Sequence, residues 1–482
     1  MSKRQRRRVR KQRRHEGSRE RHLGRTLTTG AGVTIGATLL MGGAAQAACT
    51  CTVDSLLDPT DAGHTTLRDA ITSANANAGS TITFASGLSG NTIMLNGTQL
   101  PQITAYSTTI QGPSGGITID ANYNSRIFNV SASDVTISGL TVTHGVVAAN
   151  GGGGILLQAG QLTLTDAVVI GNASESGTDG GGIEVATGNL TVDRSTIANN
   201  ESSNFGGGID THAAPVLGGG ATIIRNSTIS GNEAIKHGGG AYFNYQAPAT
   251  VSNSTIYDNE TGASYPGGGL YHAGDPQGDP GLVVTGSTIT HNQAGRGGGV
   301  GSNGSSGWTQ PILRDTIVSD NTAPDGADVS ANDGSMDAGF SLIGVVDPDS
   351  TINATGPNMM GTNPQLGVLG DNGGQTQTQK PAATSPVIDA GSAFGLTGDQ
   401  RGLARPFDAI TANAAGGDAS DIGAVELQVS DIAAAPVPTT PTTPGTTTPA
   451  TKRKCKKKKK HKRSAESAKK KGCKKKKKKG GK

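Results

Sequence analysis

Residues 195–209 read STIANNESSNFGGGI, and the chain returns to this phrase five more times. The nearest echoes are STISGNEAIKHGGGA (227–241), STIYDNETGASYPGGGL (254–270) and STITHNQAGRGGGV (287–300). VVIGNASESGTDGGGI (168–183) comes before them, and TIVSDNTAPDGADV (316–329), without the glycine triplet, comes after. Aligned on one asparagine, the copies place Asn172, Asn200, Asn232, Asn259, Asn292 and Asn321 at spacings of 28, 32, 27, 33 and 29 residues. Triplets begin at Gly180, Gly206, Gly238, Gly267 and Gly297, with an earlier run at 151–154. A period of about 30 residues implies a solenoid, in which each repeat buries its apolar side against its neighbours.

The repeat is stranded. LTVDRSTI, TIIRNSTI and LVVTGSTI are β-branched and alternate apolar with polar residues. After each triplet comes a second short apolar piece, such as GIEVA or GAYFN, and no window of the repeats carries a helical period. Two or three short strands per repeat, joined at Gly, Asn and Asp corners, make one coil of a parallel β-helix. Coils stack about 4.8 Å apart. Asparagines at one corner can therefore pass amide hydrogen bonds from coil to coil, and Asn172, Asn200, Asn232, Asn259, Asn292 and Asn321 are the expected ladder. Ile197, Ile229, Ile256, Ile289 and Ile317 are expected to stack as one apolar column. Inserts of varying length, such as DTHAAPVLGGGA and YHAGDPQGDPG, belong on the outside.

A β-helix end is an open edge that needs a cover. TTLRDAITSANAN (65–77) supplies one. Thr66 and Asp69 form a capping box, and Leu67, Ala70, Ile71 and Ala74 share one helical face. Strands resume at Ser80.

Composition agrees with a slender core. The 482 residues include 74 glycines and only 3% aromatics, too few for a thick globular interior. Residues 1–26 hold 12 Lys+Arg against two acids, and residues 452–482 hold 20 against one. Between them lie ten basic and 34 acidic residues, so the body is acidic and the basic charge sits in the tails. Residues 1–47 read as an export signal: a long basic start, a weakly apolar stretch, and Ala45-Gln46-Ala47 as the cleavage site. Secretion to the cell surface follows, by the general or the twin-arginine route. Cys49, Cys51, Cys455 and Cys473 lie outside the repeats, and their pairing stays open.

The stretch TTLRDAITSANANAGSTITFASGLSGNTIML resembles the CSLREA-type N-terminal domain of exported β-helix proteins, with Leu67, Arg68, Ala70 and Ile71 matching its core. Thr65, Thr66 and Asp69 stand where that family has Cys, Ser and Glu. The repeats resemble right-handed parallel β-helix repeats and those of polymorphic outer-membrane proteins. Residues 362–427 resemble the choice-of-anchor Q domain. They do so through Asp371-Asn372-Gly373-Gly374, the run SPVIDAG (385–391), Asp399-Gln400-Arg401-Gly402, Arg405-Pro406 and DIGAVE (421–426). These resemblances imply export and attachment to the envelope. No alternating strands of a membrane barrel follow the repeats. Instead a Pro/Thr linker leads into the lysine-rich tail.

The expected organisation is a signal peptide (1–47), an N-terminal cap (48–79), β-helix repeats (80–345), a choice-of-anchor-Q-like region (346–430), a linker (431–451) and a polylysine tail (452–482). The class is all-β.

Chemistry is less legible. Asp210, Asp258 and Glu260, or Asp320, Asp325 and Asp328, could hold a cation such as Ca²⁺. The same residues suit corners through side-chain-to-backbone hydrogen bonds, so no metal site and no cofactor is expected. Arg194, Arg225, Lys236, Arg296 and Arg314 are the scattered bases. Lys236 and His237 could pair as base and partner, or simply solvate a loop. His64, His144, His212, His272 and His291 lack ligand spacing. The expected function is a non-catalytic, adhesin-like envelope β-helix. Its tail 452–482 would hold an anionic envelope polymer or membrane surface, and its body a polysaccharide or surface ligand; nucleic acid would also bind such a tail, but export disfavours it as the partner. The alternatives are a lyase or hydrolase of acidic polysaccharide and a secreted polymer-binding module.

Overall fold

The computed structural model describes residues 48–432, apart from 213–219, 245–247, 275–280, 305–307, residue 410 and the side chain of Ser133. The export signal, linker and lysine-rich tail lie outside the described residues. Strand pairing within the solenoid is parallel throughout and falls into sheets of 18, 11 and 5 strands. A representative coil runs Ile183–Val185, Asn189–Asp193, Thr196–Ala198 and Glu201–Ser202. Each strand pairs with its counterpart one coil on: Ile183 with Ile209, Leu190 with Thr222, Ile197 with Ile229, Glu201 with Glu233.

The asparagine corner is a continuous amide ladder. Nδ2 of Asn172, Asn200, Asn232, Asn259 and Asn292 each donates to Oδ1 of the next asparagine, at 2.8–3.0 Å. Each amide also donates to a strand carbonyl, for example Asn232 to Ile197 at 2.9 Å. The last rung differs, because Asn321 donates to Asp328 at 2.8 Å. Asp328 stands where earlier coils have the third glycine of the triplet, so losing that glycine is what closes the ladder. A second ladder runs through the ST element. Backbone N–H groups of Ser195, Ser227 and Ser254 donate to the hydroxyls of Ser227, Ser254 and Ser287 at 3.1–3.2 Å.

The triplet has a steric cause. Gly206 has a φ of 60°. A Cβ on Gly207 would stand 2.5 Å from the carbonyl oxygen of Gly239. The first position needs a left-handed backbone, and the second has no room for a side chain.

One expected column is corrected. Ile197, Ile229, Ile256 and Ile289 do stack, but Val318 pairs with Ile289, while Ile317 pairs with Thr288. Counted back three positions from each ladder asparagine, the core residue is Val318. Ile317 instead faces outward, against Leu342, Val387, Ala390 and Ile422.

The coils also reach past 80–345 at both ends. Thr50–Val53 pairs in register with Thr81–Phe84, and Ser341–Ile343 pairs with Asn358–Met360. The helix Leu67–Asn75 is thus inserted after the first strand. Its Thr66–Asp69 capping box is formed, and Leu67, Ala70, Ile71 and Ala74 are buried. Cys49 and Cys51 form a disulfide. Among the described residues, no helix is long and apolar enough to cross a membrane.

Residues 362–427 lie along the outer face of the third strands. Thr228 donates to the Gln377 carbonyl and Thr255 to Gln400 Oε1, both at 2.6 Å. Thr288 accepts from the Ala424 N–H at 3.0 Å. Arg405 is fully buried and joins Glu426 at 2.9 Å to Asp315 of the solenoid at 3.4 Å. Several motif residues of this segment are therefore docking residues. The outer face of the third strands is thus covered by this segment.

Candidate functional site

The first strand of each coil follows its triplet. Its first residue points inward: Ile155, Ile183, Ile209, Ala241, Leu270 and Val300 are all fully buried. Its second residue points outward, and in register these are Leu156, Glu184, Asp210, Tyr242, Tyr271 and Gly301. The outer row is not repetitive: two adjacent carboxyls give way to two adjacent tyrosines.

The carboxyls belong to a cluster of four groups, Asp179, Glu184, Asp210 and His212, whose donor atoms lie within 4.8 Å of one another. His212 Nδ1 stands 2.8 Å from Asp210 Oδ2, 3.9 Å from Glu184 Oε1 and 4.0 Å from Asp179 Oδ2. Asp179 lies just before the triplet at 180–182 and also accepts from the Phe205 N–H at 3.0 Å. Behind Glu184 is Arg126, buried and donating to the carbonyls of Asn150, Gly151 and Gly152 at 2.6–3.0 Å. Gly151 is required here, since a Cβ on it would stand 2.4 Å from Glu184 Oε2.

Burial pushes the Glu184 carboxyl well above its ordinary range, and the neighbouring Asp210 charge adds to the push. Asp210 is raised too, chiefly by burial, with the His212 contact opposing. The hydrogen bond to Asp210 and the surrounding carboxylates raise His212 to about 9. At neutral pH the cluster thus holds a protonated Glu184 beside an Asp210–His212 ion pair.

One step along the solenoid the outer row turns aromatic, and Tyr242 and Tyr271 are each 8% exposed. Tyr242 stacks on Phe205 at 4.8 Å and on Tyr271 at 5.5 Å. His237 lies 4.4 Å from the Tyr271 ring and 5.3 Å from Tyr265. Lys236 sits over Phe205, 5.0 Å from its centroid. Burial, helped by the Lys236 charge, lowers His237 to about 4. Lys236 and His237 thus belong to an aromatic patch in which His237 stays neutral.

The other sequence candidates do not converge. Asp258 and Asp320 occupy positive-φ corners, Glu260 lies in strand Glu260–Thr261, and Asp328 caps the ladder. Arg194 and Arg225 meet Asp193, Arg296 meets Asp347, and Arg314 lies over Phe394. His64 pairs with Asp54 and His144 with Asp120, His272 accepts from the Gly274 N–H, and His291 packs on Tyr257. Sequence reasoning singled out Asp210 and His212 separately and missed Arg126, Asp179 and Glu184. Aligning the coils on the triplets rather than on asparagine would have placed Glu184 beside Asp210.

Residues 176–342 match the protein family described as "Right handed beta helix region". The solenoid is a right-handed parallel β-helix. No curated protein matches the chain. Among solved structures, the β-helix is similar to one described as "Crystal structure of pectate lyase Pel9A", at 13% identity and a TM-score of 0.46, over 80% of this chain and 98% of that one.

Proposed function

We propose that the protein is an exported, envelope-attached β-helix that binds a polysaccharide on the outer face of its first strands without cleaving it. The observation that carries this reading is the outer row itself. In an aromatic-poor chain, Phe205, Tyr242, Tyr265 and Tyr271 gather on the outer side of the first strands, with Tyr242 and Tyr271 mostly covered and Phe205 and Tyr265 half-buried at their rim, in register with the acidic cluster. Aromatic rings with polar edges beside carboxyl groups suit a sugar's apolar faces and hydroxyls. In sequence, the inserts 212–221, 244–248, 273–281 and 303–311 each come between a first strand and the second strand of the same coil. Export rests on the sequence of residues 1–47, and the Cys49–Cys51 disulfide agrees with it. The lysine-rich tail 452–482 serves as the tether to an anionic envelope polymer or membrane surface.

The carboxyl geometry supports binding over hydrolysis. Glycosidase carboxyls flank the scissile bond at about 5–5.5 Å or 6.5–9.5 Å. Here the donor atoms of four groups lie within 4.8 Å of one another, as one cluster and not as two carboxyls on either side of a bond. The second reading, a carbohydrate-active enzyme, rests on Glu184, because a carboxyl held protonated at neutral pH is what a general acid requires.

The test is retention of the mature chain on immobilised neutral and acidic polysaccharides in about 0.5 M salt, where attraction by the tail is screened. Retention is expected, lost in a Tyr242→Ala, Tyr271→Ala double variant, with no reducing or unsaturated sugar ends released. Equal retention of the double variant would sink the binding face. Released ends that disappear in Glu184→Gln would establish the enzyme instead.

A further inference from the structure

We propose that Asp179, Glu184, Asp210 and His212 form a binding site for one divalent transition-metal ion of the zinc type. The inference stands apart from polysaccharide binding and is tested with metal alone.

The first support is convergence. Donors around a tetrahedral ion with bonds of about 2.1 Å stand about 3.4 Å apart. The separations from His212 Nδ1, at 2.8, 3.9 and 4.0 Å, fall on either side of that spacing. Small side-chain adjustments bring all four groups onto a common centre. His212 is 44% exposed, so the cluster is open to an arriving ion on that side.

The second support is independent of the clustering. Glu184 Oε2 and Asp210 Oδ1 are buried with no hydrogen-bond partner. Glu184 is 8% exposed and Asp210 not at all. Elsewhere the protein provides for its buried carboxylates. Asp389 accepts from the Ala409 and Thr411 N–H groups, and Asp421 from those of Asp389 and Leu427. Asp399 accepts from Arg401, Leu403 and Glu426. An unpaired buried carboxyl oxygen gives up its hydration with nothing in return, and two ionised carboxylates on adjacent strands would repel. A cation held by the cluster would supply the missing partner and let both carboxyls ionise.

The third support is the donor set. Three carboxylates and an imidazole form a mixed oxygen–nitrogen shell. Imidazole suits zinc and its transition-metal neighbours, whereas Ca²⁺ takes six to eight oxygens. Close packing of Gly151 on Glu184 and of Gly206 on Asp210 leaves little space for such a crowded oxygen shell.

The experiment titrates chelator-stripped, full-length mature protein with Zn²⁺ by calorimetry and with Co²⁺ by visible absorption. Wild type is expected to bind one equivalent more than Glu184→Gln and His212→Ala, with a cobalt spectrum whose nitrogen-ligand component disappears in His212→Ala. Comparison with the variants subtracts any binding by His461, Cys455 and Cys473 of the tail. Asp179→Asn, at a less buried position, serves if Glu184→Gln fails to fold, and it should lose the same equivalent while melting as wild type does without metal. Equal stoichiometry in wild type and folded variants would overturn the site. So would Ca²⁺ binding that outcompetes Zn²⁺ and survives His212→Ala.

Discussion

Along the first strand of each coil, two rows of side chains stand back to back and follow opposite rules. The inner row, Ile183, Ile209, Ala241, Leu270 and Val300, stays apolar because each coil must bury the same stripe. The outer row, Glu184, Asp210, Tyr242, Tyr271 and Gly301, shares the same backbone register and keeps no common chemistry. Repetition marks what the fold needs, and departure from repetition on an otherwise identical strand marks where a site has been built.

The largest effect should come from breaking the inner row. Ile209→Asp places an unpaired charge in a core only a few side chains thick and is expected to cost about 4 kcal/mol or more. Urea denaturation followed by far-UV circular dichroism measures it. A loss below about 1 kcal/mol would mean that the inner row does not carry the stability assigned to it.

The corner ladder should come next. Asn232→Ala removes the acceptor used by the Asn200 N–H and amide, at 3.0 and 2.9 Å. It also removes the donor to Ile197 and Asn259, both at 2.9 Å. Four buried groups lose a partner, so about 3 kcal/mol is expected in the same denaturation experiment. Asn321→Ala, at the ladder's end, should cost a similar amount, because the Asn292 N–H and amide and the Ile289, Ser319 and Asp328 oxygens lose a partner there.

These two features were legible in the sequence because they recur. Six asparagines at one corner, glycine triplets and a β-branched run have one joint explanation, and a single chain displays it several times over. The misplacement of Ile317 shows the limit. Its neighbour Val318 fills the core position, and only the distance to Asn321 distinguishes them. The site was illegible because it does not recur. Glu184 and Asp210 are 26 positions apart and meet only through the coil stacking, while Arg126 approaches from a preceding coil. Asp210 was visible as an acid, but grouping it with Asp258 and Glu260 confused an outward strand position with a corner.

The outer row should respond in the opposite sense to the inner one. Asp210→Leu removes a buried, half-paired carboxylate and leaves His212, 44% exposed, in partial contact with solvent. In metal-free protein at pH 8 it is expected to raise stability by about 1–2 kcal/mol, since apolar replacements of buried charges are often stabilising. Added Zn²⁺ should reverse the order by stabilising wild type alone. Destabilisation in metal-free protein would show that the fold needs the carboxylate as it needs Ile209.

The smallest expected effect separates the two ends of the outer row through their histidines. His212 is held up at about 9 by Asp210, and His237 is held down at about 4 by burial among aromatic rings. A histidine raised above its unfolded value of about 6.5 stabilises the fold below that pH, and the contribution is lost as pH rises toward 9. A histidine lowered below that value costs stability as pH falls from about 6.5 toward 4, because the unfolded chain takes up the proton first. The acidic end therefore weakens on the alkaline side and the aromatic end on the acid side. Both rings are partly solvated, so each limb should amount to no more than about 1 kcal/mol. Imidazole proton resonances in metal-free protein read the two groups directly, with His212→Asn and His237→Gln assigning the signals. One signal is expected to move only near pH 9 and the other only near pH 4. If both move together near 6.5, the two ends of the row share one solvent-like environment, and the division of this face into an ionic half and an aromatic half fails.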